Sequence, residues 1–143
     1  MRKMSPFPRN VILLVLVLVI TLKTTNAAYS VDNDIFRTRH IKVTIINTLE
    51  SAVDLKVHCK SKNDDLGKHV IHPNESYDFE FGVKIFWRKT LFFCGFTWSD
   101  QFRWFDIYKQ DRDTCKNCIW RVRQKGLCLK GGPCYPWNKD LAA

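Results

Sequence analysis

Val53-Asp54-Leu55-Lys56-Val57-His58-Cys59-Lys60 places Val53, Leu55, Val57 and Cys59 in alternation with Asp54, Lys56, His58 and Lys60. Successive side chains of a strand point to opposite faces, so this period of two specifies a half-buried β-strand with one face toward a core. The same period recurs on both sides of it. Upstream, Ile41, Val43 and Ile45 share one face. Downstream, after the turn residues Pro73-Asn74-Glu75-Ser76, Tyr77, Phe79 and Phe81 alternate with Asp78 and Glu80. Leu91-Phe92-Phe93-Cys94 is apolar on both faces, which predicts a central strand.

The remaining segments extend the pattern. Ser61 to Gly67 reads as a loop, and Ile85-Phe86-Trp87 with Leu91 to Trp98 flank Arg88-Lys89 as a hairpin tip. Trp104 to Tyr108 reads as a strand and Lys109 to Thr114 as a charged loop. Cys118, Trp120 and Val122 alternate with Ile119, Arg121 and Arg123, Lys125-Gly126 turns the chain, and Leu127-Cys128-Leu129 returns. The tail from Lys130, with two Gly and two Pro, reads as irregular chain over the sheet. Seven or eight short strands at regular spacing predict an all-β, single-domain antiparallel β-sandwich. Phe92, Phe93, Phe96, Trp98, Trp104 and Trp120, at strand spacing, are expected in its core.

The N-terminus follows a different rule. Arg2, Lys3 and Arg9 precede an apolar run of twelve, Val11 to Leu22, broken only by Thr21, and small residues close at Asn26-Ala27-Ala28. Basic, apolar and small-residue zones in that order are expected of a secretory signal peptide over residues 1–27, leaving a mature domain of residues 28–143. Twelve residues of helix rise only about 18 Å, short of the ~30 Å bilayer core, so the mature chain is expected not to be membrane-embedded. Of 23 basic and 14 acidic residues, four bases (Arg2, Lys3, Arg9, Lys23) and no acid lie in the leader, which leaves 19 against 14 and a net charge of +5. A bias of that size suits adhesion to acidic polysaccharide, such as that of the cell wall, or to an anionic membrane surface. It is too diffuse to specify nucleic acid, and no nucleic-acid partner is expected.

Six cysteines (Cys59, Cys94, Cys115, Cys118, Cys128, Cys134) fall in the mature part. An even count in a small exported domain indicates a disulfide framework. If the hairpin around Gln124-Lys125 pairs residues whose numbers sum to about 249, Cys115 and Cys134 face each other across its open end, and a bridge between them is expected. The other four allow three pairings. Cys115-x-x-Cys118 reads as structural, because the context is exported and no helix follows to lower a thiol pKa. His40, His58, His69 and His72 sit beside no nucleophile motif, and no metal or cofactor signature is present. The expectation is a non-enzymatic protein without cofactor. Asn74-Glu75-Ser76 is an N-glycosylation sequon in an expected turn.

Several stretches in order resemble the plant self-incompatibility S-protein homologue family. These are His58 to Gly67, Leu91-Phe92-Phe93-Cys94 with Phe96 and Trp98, Phe105-Asp106-Ile107-Tyr108, Arg112-Asp113, Cys115-x-x-Cys118-x-Trp120, and Gly126 followed by Cys128. The resemblance spans Ile41 to Trp137. Cys59, Cys94, Cys118 and Cys128 match the four cysteines of the family's common pattern, which leaves Cys115 and Cys134 as a further pair. Trp87-Arg88-Lys89 departs from a glycine expected near that point.

The resemblance implies a secreted extracellular signalling ligand that binds a plant cell-surface receptor protein through exposed loops. Carried onto this sequence, the loop candidates are Lys62, Asn63, Asp64 and Asp65, and Gln110, Asp111, Arg112 and Asp113. The competing expectation from charge and aromatic surface is a cationic apoplastic defence protein acting on membranes or cell walls.

Overall fold

The computed structural model describes residues 8–27, 38–86 and 89–138, so Trp87 and Arg88 of the expected hairpin tip lie outside the described residues. By contact the chain divides at residues 35 and 36, with helix α1 (Arg9–Ala27) in the first unit and every strand in the second. The apolar side chains of α1 from Val11 to Ile20 are exposed. No helix among the described residues is long and apolar enough to cross a membrane.

The second unit is a two-layer β-sandwich. Its strands are β1 (Thr38–Asn47), β2 (Leu55–Lys60), β3 (Asp65–Ile71), β4 (Ser76–Lys84), β5 (Leu91–Trp98), β6 (Gln101–Lys109), β7 (Asn117–Arg123), β8 (Gly126–Leu129) and β9 (Cys134–Pro136). One sheet has the order β4-β1-β7-β8-β9 and the other β3-β2-β5-β6. Neighbours are antiparallel except β1 and β7, which run parallel, Val43 opposite Cys118 and Ile45 opposite Trp120. The all-β sandwich is as the alternation requires, and β5 is central, between β2 and β6.

Nine described strands exceed the seven or eight expected, for two reasons. Asp65 to Ile71, whose first three residues read as loop by composition, is an edge strand held by backbone pairing to β2. The tail supplies β9, which pairs β8 through Cys128 opposite Cys134. A third difference concerns the β4–β5 connection. β4 belongs to the five-stranded sheet and β5 to the four-stranded one, so the two are not hairpin partners, and Ile85, Phe86, Lys89 and Thr90 lie on a crossover between layers. Ile85 and Phe86 are accordingly turn residues, exposed to solvent.

Alternation decides what the layers bury. Ile41, Val43 and Ile45 of β1, Cys118, Trp120 and Val122 of β7 and Leu127 of β8 are fully covered on one side. Leu55, Val57 and Cys59 of β2, Phe92, Cys94, Phe96 and Trp98 of β5 and Phe105 and Ile107 of β6 face them. Each such aliphatic or aromatic side chain contributes about 1.5–3 kcal/mol. Of the six aromatic residues expected in the core, Phe92, Phe96, Trp98 and Trp120 are there. Phe93 is exposed and Trp104 half-buried, because the same alternation turns them to the outer face of their sheet.

One polar residue ties the layers. Asn47, buried at the end of β1, donates from Nδ2 to Val53 O (2.8 Å) and to Ile71 O at the end of β3 (2.9 Å), while its Oδ1 accepts from Leu49 N. At the tail, Trp137 packs against Phe96 and Trp98 and donates from Nε1 to Gln124 O (2.7 Å). The last described residues thus cover an open side of the core. Gly126 makes the β7–β8–β9 path possible, since a Cβ there would lie 1.9 Å from Tyr135 O.

The bridges are Cys59–Cys94, Cys115–Cys118 and Cys128–Cys134. All six cysteines are therefore bonded, but the expected Cys115–Cys134 pair is not formed. The hairpin register behind that expectation holds, since Trp120 opposes Leu129, Arg121 opposes Cys128, Val122 opposes Leu127 and Arg123 opposes Gly126. It fails past Leu129, where the chain turns back through Lys130 to Pro133 and delivers Cys134 to Cys128. Cys115 then closes on Cys118, three residues on. Two bridges join adjacent strands, one within each sheet, and the third is local, so the apolar core, not a disulfide, holds the layers together. In the chain-entropy picture, the 35-residue separation of Cys59 and Cys94 is worth about 4 kcal/mol and the short bridges about 2 each.

Candidate functional site

The topology sorts the connections into two ends of the sandwich. One end collects Ser61 to Asp64 between β2 and β3, Ile85, Phe86, Lys89 and Thr90 between β4 and β5, and Gln110 to Thr114 between β6 and β7. Both expected partner-binding loops thus lie at one end, beside the inter-sheet crossover. The second of them is sewn to it by side chain and backbone: Gln110 N donates to Thr90 O (3.1 Å), Gln110 Nε2 to Lys84 O (2.9 Å), and Thr90 N to Gln110 Oε1 (3.2 Å). A groove of about 880 Å³ at this end runs between residues 61–64 and the crossover. Its rim carries Lys62, Asp64, Glu80, Lys84 and Lys89, and Phe81 and Phe92, with ring centroids 4.3 Å apart, lie at its floor.

The eight loop candidates do not behave alike. Lys62, Asn63 and Asp64 are exposed, in a turn that Ser61 organises. The Ser61 hydroxyl donates to Asp64 Oδ2 (2.9 Å) and accepts from the N–H groups of Asn63 and Asp64. Asp65 opens β3 instead and points onto the outer face of its sheet. It bonds His58 Nε2 (2.6 Å) and Lys60 Nζ (3.2 Å) and accepts from Gly67 N (3.0 Å). The His58 hydrogen bond first, then the Gly67 amide, hold its carboxyl well below the usual carboxylate range. Asp111 is exposed and Gln110 half-buried.

Arg112 and Asp113 are corrections to the exposed-loop expectation. The Asp113 side chain is 2% exposed and that of Arg112 21%. Arg112 grips Asp113 from Nε and Nη2, both at 2.8 Å, and donates from Nη2 to Asp106 O (2.7 Å). Its guanidinium lies 5.1–5.4 Å from the ring centroids of Tyr135, Phe105 and Trp120. Asp113 also accepts from Lys109 N (2.8 Å). This pair belongs to the frame beneath the loop, and the accessible candidates are Lys62, Asn63, Asp64, Asp65, Gln110 and Asp111, with Asp65 tied to His58 and Lys60 and with Lys89 added by the crossover. Lys89 follows shortly after the exposed apolar pair Ile85 and Phe86 in the chain, and that sequence neighbourhood is the signal that points to it.

At the opposite end, Asn74 sits exposed in the β3–β4 turn, with left-handed φ of 64° and its N–H bonded to Asn47 O (2.9 Å). Nearby, His72 Nδ1 meets Asp54 Oδ1 at 2.7 Å, and that hydrogen bond raises the His72 pKa. His69 stacks on Tyr77 at 3.9 Å and bonds Leu66 O. No group of three or more His, Cys, Asp or Glu among the described residues is arranged to hold a metal ion.

With that geometry in place the relatives can be compared. The profile of the plant self-incompatibility protein S1 family matches residues 42–140. S-protein homolog 2 of Arabidopsis thaliana is 38% identical, over 90% of this chain and 94% of its own. S-protein homolog 18 of the same plant is 45% identical, over 72% of this chain and 81% of its own. A solved self-incompatibility protein homologue, described as one of a widespread family of small, highly stable, secreted plant proteins, shares the fold. Its TM-score is 0.53 at 18% identity, covering 71% of this chain and 97% of that one. The matched segment begins inside β1 and takes in every later strand and all three disulfides, and this chain belongs to the plant self-incompatibility protein S1 family.

Proposed function

We propose that this protein is exported by cleavage of residues 1–27 and acts as a non-enzymatic extracellular ligand, read by a plant cell-surface receptor at the loop end of the sandwich. The observation that carries the reading is convergence. Connections from both sheets meet at one end, joined by the Gln110 hydrogen bonds to the crossover, and present both signs of charge around one groove. Mixed charge on a fixed frame favours one partner by penalising mismatched ones. A glycan on Asn74 would stand at the far end and leave the groove clear.

The test is binding of the labelled, disulfide-intact protein to intact plant cells, pollen included. Saturable binding is expected, lost on reduction. A variant reversing charge at Lys62, Asp64, Lys89 and Asp111 should lose it while keeping its near-ultraviolet circular dichroism. Reversal at Glu50 and Lys125, at the opposite end, should leave it intact. Linear binding that salt removes, as screening requires of diffuse charge, would overturn the reading in favour of charge-driven adhesion.

A further inference from the structure

The outer face of the β3-β2-β5-β6 sheet is unusually apolar for a surface. The alternation that sends Phe92, Cys94, Phe96 and Trp98 inward turns Leu91, Phe93, Gly95 and Thr97 outward. Register then builds two rows across the sheet, Val70–Lys56–Thr97–Phe102 and Lys68–His58–Gly95–Trp104, with Lys60 opposite Phe93 beyond them. Phe102 is 57% exposed and Val70 53%, and with Leu91 and Phe93 they are four of the six large hydrophobic side chains exposed on the described part of the strand unit. Concentration on one face distinguishes a binding surface from the scattered exposed hydrophobics of any protein.

Shape and charge narrow the occupant. Gly95 has no side chain, and Phe102 leans over it, since a Cβ there would meet Phe102 Cε2 at 3.0 Å. The face around them forms an open concavity of about 1010 Å³. Its cations are Lys56, Lys60 and Lys68. Lys60 and His58 are spent on Asp65, whereas Lys56 and Lys68 have no ion pair among the described residues, and the other acid on the face is Asp106. A second copy would set lysine against lysine, and a flat bilayer would leave the concavity unfilled. A chain of uronic acids meets both requirements: its ring C–H faces pack on aromatic side chains and its carboxylates accept from ammonium groups.

We propose that this outer face binds an acidic polysaccharide, with Phe93, Phe102 and Trp104 lying against sugar rings and Lys56 and Lys68 pairing uronate carboxylates. It adjoins the loop-end groove at Leu91 and Phe93, but Lys56, Lys68, Phe102 and Trp104 lie outside that groove, so variants at those four positions test polysaccharide binding apart from receptor binding. Charge reversal at Lys62 and Asp64 should not affect the polysaccharide.

The test titrates the disulfide-intact protein, expressed from the full chain, with polygalacturonate, with fully methyl-esterified polygalacturonate and with phosphatidylserine vesicles. Saturable binding to polygalacturonate is expected, roughly tenfold or more weaker for Phe102→Ala, for Lys56→Glu with Lys68→Glu, and for the esterified polymer. Amide shifts in the unaltered protein should concentrate at Phe93, Gly95 and Trp104, a readout that depends on no variant folding. Binding unchanged in Phe102→Ala, with shifts spread over all lysines, would reduce the effect to net charge and overturn the site. Preference for vesicles, a dimer dissolved by the same variants, or no binding at all would overturn it too.

Discussion

Residues 61–64 and 110–113 make an instructive pair, because they are short, charged and at the same end of the sandwich, yet the first keeps its charges in solvent and the second turns two of its three inward. In the first, the bonds stay within the turn, from the Ser61 hydroxyl to Asp64 and from the Asn63 and Asp64 amides back to it. In the second, Arg112 and Asp113 turn inward. Arg112 lies against Phe105, Trp120 and Tyr135, and Asp113 accepts from the last residue of β6. Composition reports that charge is present. What lies beneath the backbone decides whether that charge meets water or a partner.

The largest effect that would break the comparison is at Asp113. Its loss leaves the Arg112 guanidinium without its anion under the loop, and breaking a buried pair in this way costs about 3–5 kcal/mol. Asp113→Ala should therefore lower stability by that amount in equilibrium denaturation, with disulfides intact. A loss below about 1 kcal/mol, the ceiling for exposed pairs, would return Arg112 and Asp113 to the surface and erase the contrast.

Next in size is Asp64. Its hydrogen bond with Ser61 is exposed, so Asp64→Ala should cost under about 1 kcal/mol. Cell binding, by contrast, should weaken. The two variants thus dissociate in opposite senses: Asp113→Ala unfolds more easily, and Asp64→Ala binds less well while folding normally. An Asp64→Ala protein as destabilised as Asp113→Ala would show that the first loop, too, is part of the frame.

The same distinction explains what the sequence carried. Alternation at residues 53–60 and 40–46 was enough to assign faces, because period two is a local property of the strand. The β7–β8 register was legible for the same reason, down to each residue opposite its partner. What failed was non-local. Whether β4 returns beside β5 or crosses to the other layer depends on which sheet receives it, and nothing within residues 85–90 states that. Cys134 reaches Cys128 because the tail turns back as β9, a three-residue strand too short to show a period. β3 was hidden by Asp65 and Gly67, residues that favour turns, because an edge strand can be fixed by backbone pairing alone.

For the site, both loops could be chosen from charge and family resemblance, and the fold brings them to one end. Arg112 and Asp113 could not be separated from Asp111 by composition. Their one signal was the aromatic residues at Phe105, Trp120 and Tyr135, scattered in sequence and gathered only by packing. Phe93 and Trp104 were misplaced because an aromatic residue on a central strand is core on one face only.

The finest test sets Asp65 against its neighbour Asp64, one residue apart and on different sides of the loop boundary. Asp65 accepts from His58, Gly67 N and Lys60, which favours its ionised form and lowers its pKa in the folded state. A lowered folded pKa stabilises the protein above the ordinary carboxylate pKa, and that contribution is lost only as the pH falls through the lower folded value. Between about pH 3 and 5, where free aspartates titrate, the Asp65 carboxyl carbon should therefore show no midpoint in an NMR titration. His58→Gln should raise its titration toward the ordinary range. The effect on stability is small, since the groups are exposed, and the carboxyl titration is the measurement that resolves it. An Asp65 titrating at the ordinary value in the intact protein would mean that the His58 and Lys60 contacts do not persist in solution. Asp65 would then join Asp64 as a solvated loop residue, and the boundary between frame and reading surface would move to the next residue of β3.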